Sequence, residues 1–202
     1  MNTVDTIQAI RGESARVLPV HTPRLSGTLI LTQRRVMEKL VGAHVVQRAL
    51  AKLPDEVRRE YEALTPLSWF PALWFNDIVA AVAAEVGMDV LVFHAEVLHR
   101  SAELTILNVW GIFMRLTSDQ ALVSRTPILY SRSYTQGELT TRLLGRGRAE
   151  ITLRGWPYVP EIQIQALRIF IGTVLKVAGR KDPAVTAERR TTGAAFHATW
   201  RP

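Results

Sequence analysis

Cysteine is absent from this chain of 202 residues. Its absence excludes disulfide bonds, thiolate metal sites, cysteine nucleophiles and thiol-based redox switches. Long apolar runs are scarce as well. The longest stretch without a charged residue, 63–76, contains Pro66 and Pro71 and falls short of the roughly 18 apolar residues that a membrane-spanning helix needs. The start of the chain carries Asp5 and no long apolar run, so we expect a cytoplasmic protein with no secretory signal and no membrane span.

The chain has enough apolar residues for a folded core. Hydrophobic residues make up 48% of it and charged residues 21%, which is the balance of a globular protein. The length suits one domain. The first residues contain Gly12, Pro19 and Pro23 and show no sustained periodicity. We therefore predict a flexible tail over residues 1–24 and a single domain over residues 25–202.

The net charge of +7 lies in the second half of the chain. Residues 1–100 hold eleven basic and eleven acidic residues, whereas residues 101–202 hold fourteen and seven. Four arginines in and around a predicted hairpin are the candidate residues for binding an anion or a nucleic acid: Arg142, Arg146, Arg148 and Arg154. A turn between two strands also explains the Gly-Arg-Gly-Arg sequence at 145–148, so a nucleic-acid partner is a secondary alternative.

The middle of the chain has the periodicity of helices. A short strand is predicted over residues 26–31, where three aliphatic residues cluster, and Thr32 is the predicted N-cap of the first helix. Apolar residues at helical spacing predict further helices up to about residue 134, one of which follows Asp89 and is apolar on most sides. Pro127 is expected to kink or end the last of these helices.

The C-terminal third changes to the period of strands. Apolar and polar residues alternate over 139–154 and again over 184–201, and each segment contains a glycine-rich turn. A helix is predicted between the two hairpins, from Glu161 to Gly179. The sequence therefore predicts an α+β fold, in which an N-terminal helical layer packs on a C-terminal four-stranded antiparallel sheet with the order hairpin, helix, hairpin.

No catalytic or metal-binding pattern is complete in the sequence. No serine lies in a Gly-x-Ser-x-Gly elbow. His94 and His99 are five positions apart, so a helix points them about 140° away from each other. Glu96, His99 and Glu103 share a helical face but form only half of a di-iron motif. We therefore predict no catalytic residues, no metal site and no enzymatic activity.

Aromatic and aliphatic side chains of the predicted helices are the candidate ligand-binding residues. The helical region is rich in aromatics and poor in charge, which is the composition of an apolar core and also of a closed apolar pocket. Alanine-rich stretches would leave room between helices. The predicted lining of such a pocket is Trp69, Trp74, Ile78, Phe93, Leu98, Leu107, Trp110 and Phe113.

Several short motifs resemble a largely myxobacterial family of proteins of unknown function. The likeness runs from Leu25 to Trp200 and includes an opening Gly-x-aliphatic segment at 27–31, a Trp-Phe-Pro signature at 69–71 and a final strand with Phe196 and Trp200. That family is similar to a superfamily of haem-based nitric-oxide and oxygen sensors, vinyl-reductase-type ligand-binding domains and TRAPP transport subunits. The resemblance implies a helical layer on a twisted antiparallel sheet, a hydrophobic ligand between the two layers and dimerisation through helices.

The haem branch of this superfamily is expected to carry a helix histidine on iron and a Tyr-x-Ser-x-Arg string on the propionates. The nearest string here, Tyr130-Ser131-Arg132-Ser133-Tyr134, has Arg in the third position and Tyr in the fifth. His94 and His99 precede this string on a predicted helix, so their order along the chain is that expected for a histidine ligand to iron. The missing string outweighs the histidine, and we therefore expect no cofactor: haem is disfavoured and an unidentified apolar ligand is the alternative.

The sequence as a whole predicts a non-enzymatic regulatory or sensory domain of a bacterial signalling protein. We expect it to bind a small apolar ligand or a protein partner and to form a homodimer. A ligand-free protein-interaction or adaptor module is the alternative, and a nucleic-acid-associated protein that uses the basic C-terminal half is the second alternative. Neither the ligand nor the partner is identified by the sequence.

Overall fold

A computed structural model describes residues 22–107 and 118–201 of the chain. Seven helices and six strands are found in these residues. The helices are α1 (Gly27–Val41), α2 (Ala43–Ala51), α3 (Asp55–Glu62), α4 (Ala72–Glu85), α5 (Val90–Leu107), α6 (Asp119–Ser131) and α7 (Glu161–Val177). The strands are β1 (Arg24–Ser26), β2 (Trp69–Pro71), β3 (Glu138–Gly145), β4 (Arg148–Arg154), β5 (Lys181–Arg190) and β6 (Gly193–Arg201).

The last four strands form one antiparallel sheet with the order β3-β4-β6-β5. Strand β3 pairs with β4, and β5 pairs with β6, to form the two hairpins. Strand β4 also pairs with β6, which places Ile151 opposite Phe196. This register places the apolar residues of the alternating pattern on one face, where Leu153 and Phe196 are fully buried. The prediction of an α+β fold with a hairpin–helix–hairpin sheet is confirmed.

Helix α7 lies between the sheet and the N-terminal helices. Its residues Leu167 and Ile171 belong to the core on the inner face of the sheet, whereas Ala166 and Ile169 pack with Leu98 of α5. The side chain of Gln163 donates a hydrogen bond of 2.8 Å to the Asn76 amide oxygen of α4. The helical layer of the N-terminal half therefore reaches the sheet through α7.

The N-terminal helices surround a second core that includes the fully buried side chains of Ile30, Met37 and Phe75. Strand β1 pairs with β2 on one side. On its other side, the Ser26 amide donates to the Ser133 carbonyl at 3.0 Å, and the Arg24 amide donates to the Thr135 hydroxyl at 2.9 Å. Strand β1 thus connects the helical half of the molecule to the segment that leads into the sheet.

The predicted strand over residues 26–31 is wrong, because helix α1 already begins at Gly27. The Ser26 hydroxyl accepts a hydrogen bond from the Leu29 amide and so caps the helix. Thr32, the predicted N-cap, lies inside α1, and its hydroxyl donates to the Thr28 carbonyl. Ile30, Gln33 and the buried residues that follow recur at helical spacing, so this segment buries one helical face.

The other helix boundaries follow the sequence more closely. Ser118 caps α6 as predicted, and Pro127 lies within this helix without ending it. Arg24, which the sequence assigned to a flexible tail, belongs to β1. The rest of that predicted tail, up to residue 21, and the predicted helical residues 108–117 lie outside the described residues. The assignment of residues 1–24 to a tail and of residues 25–202 to one domain stays a prediction.

No single helix in the described ranges is long and apolar enough to cross a membrane. The helical segments Ala72–Glu85 and Val90–Ala102 meet the criteria of length and composition when they are taken together. The chain bends by 107° between them.

Replacing Gly27 with Ala should lower the free energy of unfolding by about 3 kcal/mol. A Cβ at this position would overlap the Thr65 carbonyl oxygen, which is part of the backbone and cannot rotate away. Urea denaturation of the two proteins measures the difference. Gly172→Ala is the matched control, because its Cβ would meet only Val185 at an ordinary 3.7 Å. Since alanine favours a helix interior, the control should be neutral or more stable by up to about 1 kcal/mol. Equal stability of the two variants would contradict the close contact at Gly27.

Candidate functional site

A cleft of about 310 Å³ opens between α1, α5, α6 and α7. This volume lies at the lower end of the range of small-molecule sites. Its lining comes from residues far apart in the sequence: Ser26, Thr28, Leu29, Thr32, Gln33, Leu98, Ser101, Ala102, Leu129, Arg132, Ser133 and Phe170. Most of the exposed lining is apolar, so the cleft would bury an apolar part of a ligand.

The polar groups of the cleft include one charged residue. Arg132 follows α6 and lies exposed at the cleft, and it is the only charged residue among the described residues that line it. Hydroxyls of Thr28 and Thr32 lie along α1. The cleft therefore combines apolar walls with a guanidinium that would pair with an acidic group of a ligand.

A buried hydrogen bond joins α1 to α5 next to the cleft. The Gln33 side chain, which lines the cleft, places its amide oxygen 3.2 Å from Nε2 of His94. Both side chains are 2% exposed. The His94 ring also packs edge-on against Phe75, with a distance of 6.4 Å between ring centroids. His94 thus lies directly behind the cleft wall, with Gln33 between its Nε2 and the open space.

The N-terminal cap of α5 and the helical spacing of its residues together place His94 at the cleft. The Asp89 carboxylate accepts hydrogen bonds from the amides of Leu91 and Val92 at 2.9 and 3.1 Å and so fixes the first turn. Leu98 and Ser101 follow His94 at steps of four and three, which puts the three residues on one face. Burial lowers the pKa of His94 to about 4 from its usual 6.5, so the imidazole is neutral at pH 7.

The predicted ligand-binding residues are divided among three places. Leu98 lines the cleft. Trp74, Ile78 and Phe93 are buried in the core of the N-terminal helices, and Trp69 is 39% exposed beside that core. The side chain of Leu107 and the whole of Trp110 and Phe113 lie outside the described part of the chain. The role of these eight residues in binding stays a prediction.

The four predicted anion-binding arginines all lie exposed on the hairpin of β3 and β4. Arg142 forms an ion pair of 2.8 Å with Glu150, and this contact holds the pKa of the Glu150 carboxyl below its usual range. Arg146 lies in the turn, and Arg148 and Arg154 lie at the two ends of β4. Because Glu138 and Glu150 lie among them, the hairpin is not a uniformly basic surface. Binding of nucleic acid by these residues stays a prediction.

Sequence reasoning missed most of the cleft, including Gln33, Arg132 and Phe170. Gln33 is a polar residue of α1 without a motif around it, and Arg132 appears in the sequence analysis only as the third position of the Tyr130–Tyr134 string. Their convergence depends on long-range packing. His94 was recognised as a helix histidine, but its partner Gln33 is 61 positions away along the chain. Among the residues that the structure describes, no group of three or more His, Asp or Glu side chains is placed to hold a metal ion.

No protein-family model and no curated protein matches the sequence. Solved structures of H-NOX domains share the fold. The chain matches the Fe(II) unliganded H-NOX protein from K. algicida with a TM-score of 0.67 and 7% identity, over 88% of this chain and 97% of that one. It matches an oxygen complex of an H-NOX domain related to soluble guanylate cyclases with a TM-score of 0.59 and 14% identity, over 88% and 96%. At these identities the likeness establishes the fold.

This likeness confirms the fold that the resemblance to the haem-based sensor superfamily implies. The expectation against haem is wrong, because the structural neighbours are haem-binding domains. They include a Fe(II) form and a protein studied for modulating haem redox potential through porphyrin distortion, which matches with a TM-score of 0.64, 15% identity and coverage of 88% and 100%. The missing Tyr-x-Ser-x-Arg string is therefore not a ground for excluding haem.

The residues at the cleft fit haem in their chemistry. A neutral imidazole is the form that ligates iron, and His94 is neutral at pH 7 and lies on the helix behind the cleft. The apolar cleft wall suits a porphyrin face, and Arg132 offers a cation for a carboxylate. Haem could be held only if Nε2 of His94 exchanged its contact with Gln33 for one with iron.

Acid should destabilise the protein through His94. Its pKa in the folded state is about 4 and its usual value is 6.5, so between these pH values the unfolded chain binds more protons. Stability is therefore fully present above the unfolded pKa and decreases as the pH falls toward the folded pKa. We expect the free energy of unfolding to fall by about 2 kcal/mol between about pH 7 and about pH 5 from this residue.

Urea denaturation at the two pH values measures the effect. His94→Gln should remove this part of the pH dependence, whereas His44→Gln, which changes an exposed histidine of α2, should retain it. An unchanged pH dependence in His94→Gln would show that His94 is not buried as a neutral group.

Proposed function

We propose that this chain is a non-catalytic sensory domain that holds a ligand in the cleft between α1, α5, α6 and α7. The observation that carries the proposal is the cleft itself, with its apolar wall, Arg132 at its edge and the neutral imidazole of His94 directly behind Gln33. The H-NOX neighbours support it, since one of them is an oxygen-binding domain in its oxygen complex.

The cleft offers little for catalysis. General acid–base chemistry needs a group whose pKa lies near the working pH. Among the described residues, those that line the cleft include no carboxylate and no histidine. The lining hydroxyls of Ser26 and Thr32 are engaged by the helix: Ser26 accepts from the Leu29 amide and Thr32 donates to Thr28. These groups suit positioning and recognition of a ligand.

Haem is the ligand that this proposal favours. His94 would hold the iron, the apolar side chains of Leu29, Leu98 and Phe170 would contact the porphyrin, and Arg132 would pair with a propionate. When bound, haem supplies iron that takes a diatomic gas. The chain would respond because Gln33 and His94 join α1 to α5, so a change at His94 alters the contact between these two helices.

Titration of the purified chain with haemin should produce a Soret band that saturates at one haem per chain. His94→Gln should weaken binding by at least about tenfold and shift the band, because it replaces an imidazole ligand. Absorbance spectroscopy in the ferric and ferrous states measures both effects.

His99→Gln is the matched control, since His99 is an exposed histidine on the same helix and lies outside the cleft. The control should bind haemin like the wild type. A Soret band that does not saturate, or one that is identical in His94→Gln, would contradict the assignment of haem to this cleft. Circular dichroism of each variant would show that the helices are intact.

Homodimerisation, a protein partner and a cytoplasmic location remain predictions. Exposed apolar side chains that would suit a protein contact cluster near the start of α4: Leu67, Trp69 and Leu73.

A further inference from the structure

The two edges of the four-stranded sheet, β5 and β3, differ in how they are protected. An edge strand offers backbone donors and acceptors to another strand, and proteins block such edges with proline, bulges and dense charge. Strand β5 carries Pro183, which has no amide hydrogen, and its pairing with β6 shifts register between Lys181 and Ala184. Its last three residues, 188–190, are all charged. The β5 edge is therefore poorly suited to pairing.

The β3 edge lacks proline, and its backbone is regular over most of the strand. Its register with β4 runs without interruption from Glu138 to Leu143 and shifts only between Leu143 and Gly145, next to the turn. Helix α6 contacts the inner face of β3, where the Thr141 hydroxyl donates to the Val123 carbonyl at 3.0 Å. Within residues 22–107 and 118–201, no backbone group pairs with β3 on the side away from β4. The regular part of β3 is therefore available to another strand.

Two opposite charges lie on the outer face of the β3 edge, at equal distances along the strand from Thr140. Glu138, Thr140 and Arg142 are exposed, whereas the intervening Leu139 is buried, as alternation across a sheet requires. The two charged residues are each two positions from Thr140, one on either side. This pattern is complementary to itself when the strand is turned around.

The two charges differ in the partners that they have within the chain. Arg142 pairs with Glu150 of β4 at 2.8 Å and keeps further guanidinium donors, since an arginine carries five. Glu138 lies opposite Arg154 in the register of β3 and β4, but makes no ion pair with any of the described residues. Glu138 is thus an exposed carboxylate at an open edge, with its charge available to a partner.

A second copy of the chain fits this pattern at one register. Two identical antiparallel strands are related by a two-fold axis, and residues that lie opposite each other share a face of the sheet. With the axis at Thr140, Glu138 of each copy lies opposite the partner's Arg142, and the two threonines face each other. An axis at Thr141 would instead set Glu138 against the partner's Leu144, which lies within the irregular end of the strand. Opposite charges in opposed positions favour the first register.

We propose that two copies of this chain associate through the β3 edge, with a two-fold axis at Thr140. The two four-stranded sheets then form one sheet of eight strands. Such an interface is closed, so association stops at the dimer. Because residues 138–142 form a short strand pair, it buries less than the roughly 1,600 Å² of a standard interface, and the dimer is weak. The contact lies on the sheet, in contrast to the dimerisation through helices that the resemblance implies.

Sedimentation equilibrium of the full chain between about 5 μM and about 500 μM measures the association. The wild type should change from monomer to dimer over this range. Glu138→Arg should weaken self-association by at least about tenfold, because it places like charges opposite each other twice in the dimer. This variant removes no ion pair made within the described residues, so its fold should be intact by circular dichroism. Arg142→Glu should weaken self-association in the same way.

An equimolar mixture of Glu138→Arg and Arg142→Glu tests the register itself. In a mixed dimer each introduced charge faces a charge of opposite sign, so the mixture should form dimers although each variant alone is monomeric. Glu188→Arg, which reverses an exposed charge on β5, is the matched control and should dimerise like the wild type.

Three results would overturn the proposal. The first is a wild type that stays monomeric over the whole concentration range. The second is self-association that Glu138→Arg leaves unchanged or that the control Glu188→Arg abolishes, since either would place the contact elsewhere. The third is a mixture of the two folded variants that stays monomeric.

Discussion

The burial of α7 on two sides determines the arrangement of the rest of the molecule. Eleven of its 17 residues are buried, and it contributes to all three apolar clusters found in the described residues. Leu167 and Ile171 pack in the core of the sheet, while Ala166 and Ile169 pack against Leu98 of α5. A helix that is apolar on opposite faces must lie between two layers, because either face would otherwise be exposed to water. The cleft therefore has α7 as one of its walls.

The cleft exists because four elements meet at this layer without filling it. The small side chains of Ser101 and Ala102 on α5 and the hydroxyls of α1 line it, together with Phe170, which also packs against the core of the sheet. Beneath it, the hydrogen bond between Gln33 and His94 keeps two polar groups satisfied in an apolar surrounding, where an unpaired group would cost about 1–3 kcal/mol. This pair couples the helix that carries the imidazole to the helix that carries the cleft hydroxyls. A ligand that changes the partner of His94 would alter that coupling, which is a physical route from binding to a conformational response.

Much of the fold follows from local patterns, and most of the site does not. The two hairpins could be predicted because alternation of period two and glycine-rich turns are local signals. The start of α1 could not, because Leu29, Ile30 and Leu31 have the local preference of a strand, while the cap at Ser26 and the pairing of β1 with Trp69–Pro71 depend on distant residues. Two of the aromatic residues predicted to line a pocket, Trp74 and Phe93, are buried in the core of the N-terminal helices. The cleft residues carry no shared motif, and only the folded chain brings Gln33, Leu98 and Arg132 together.

Native mass spectrometry of the protein purified from cells supplied with haem tests the central claim, that the cleft holds a ligand. We expect one bound mass per chain that is lost on denaturation. Thr32→Trp, which places a large side chain into the cleft from the half-buried face of α1, should fold with unchanged circular dichroism and carry no bound mass. A bare mass for the wild type, or a bound mass that persists in Thr32→Trp, would contradict the binding of a ligand in the cleft.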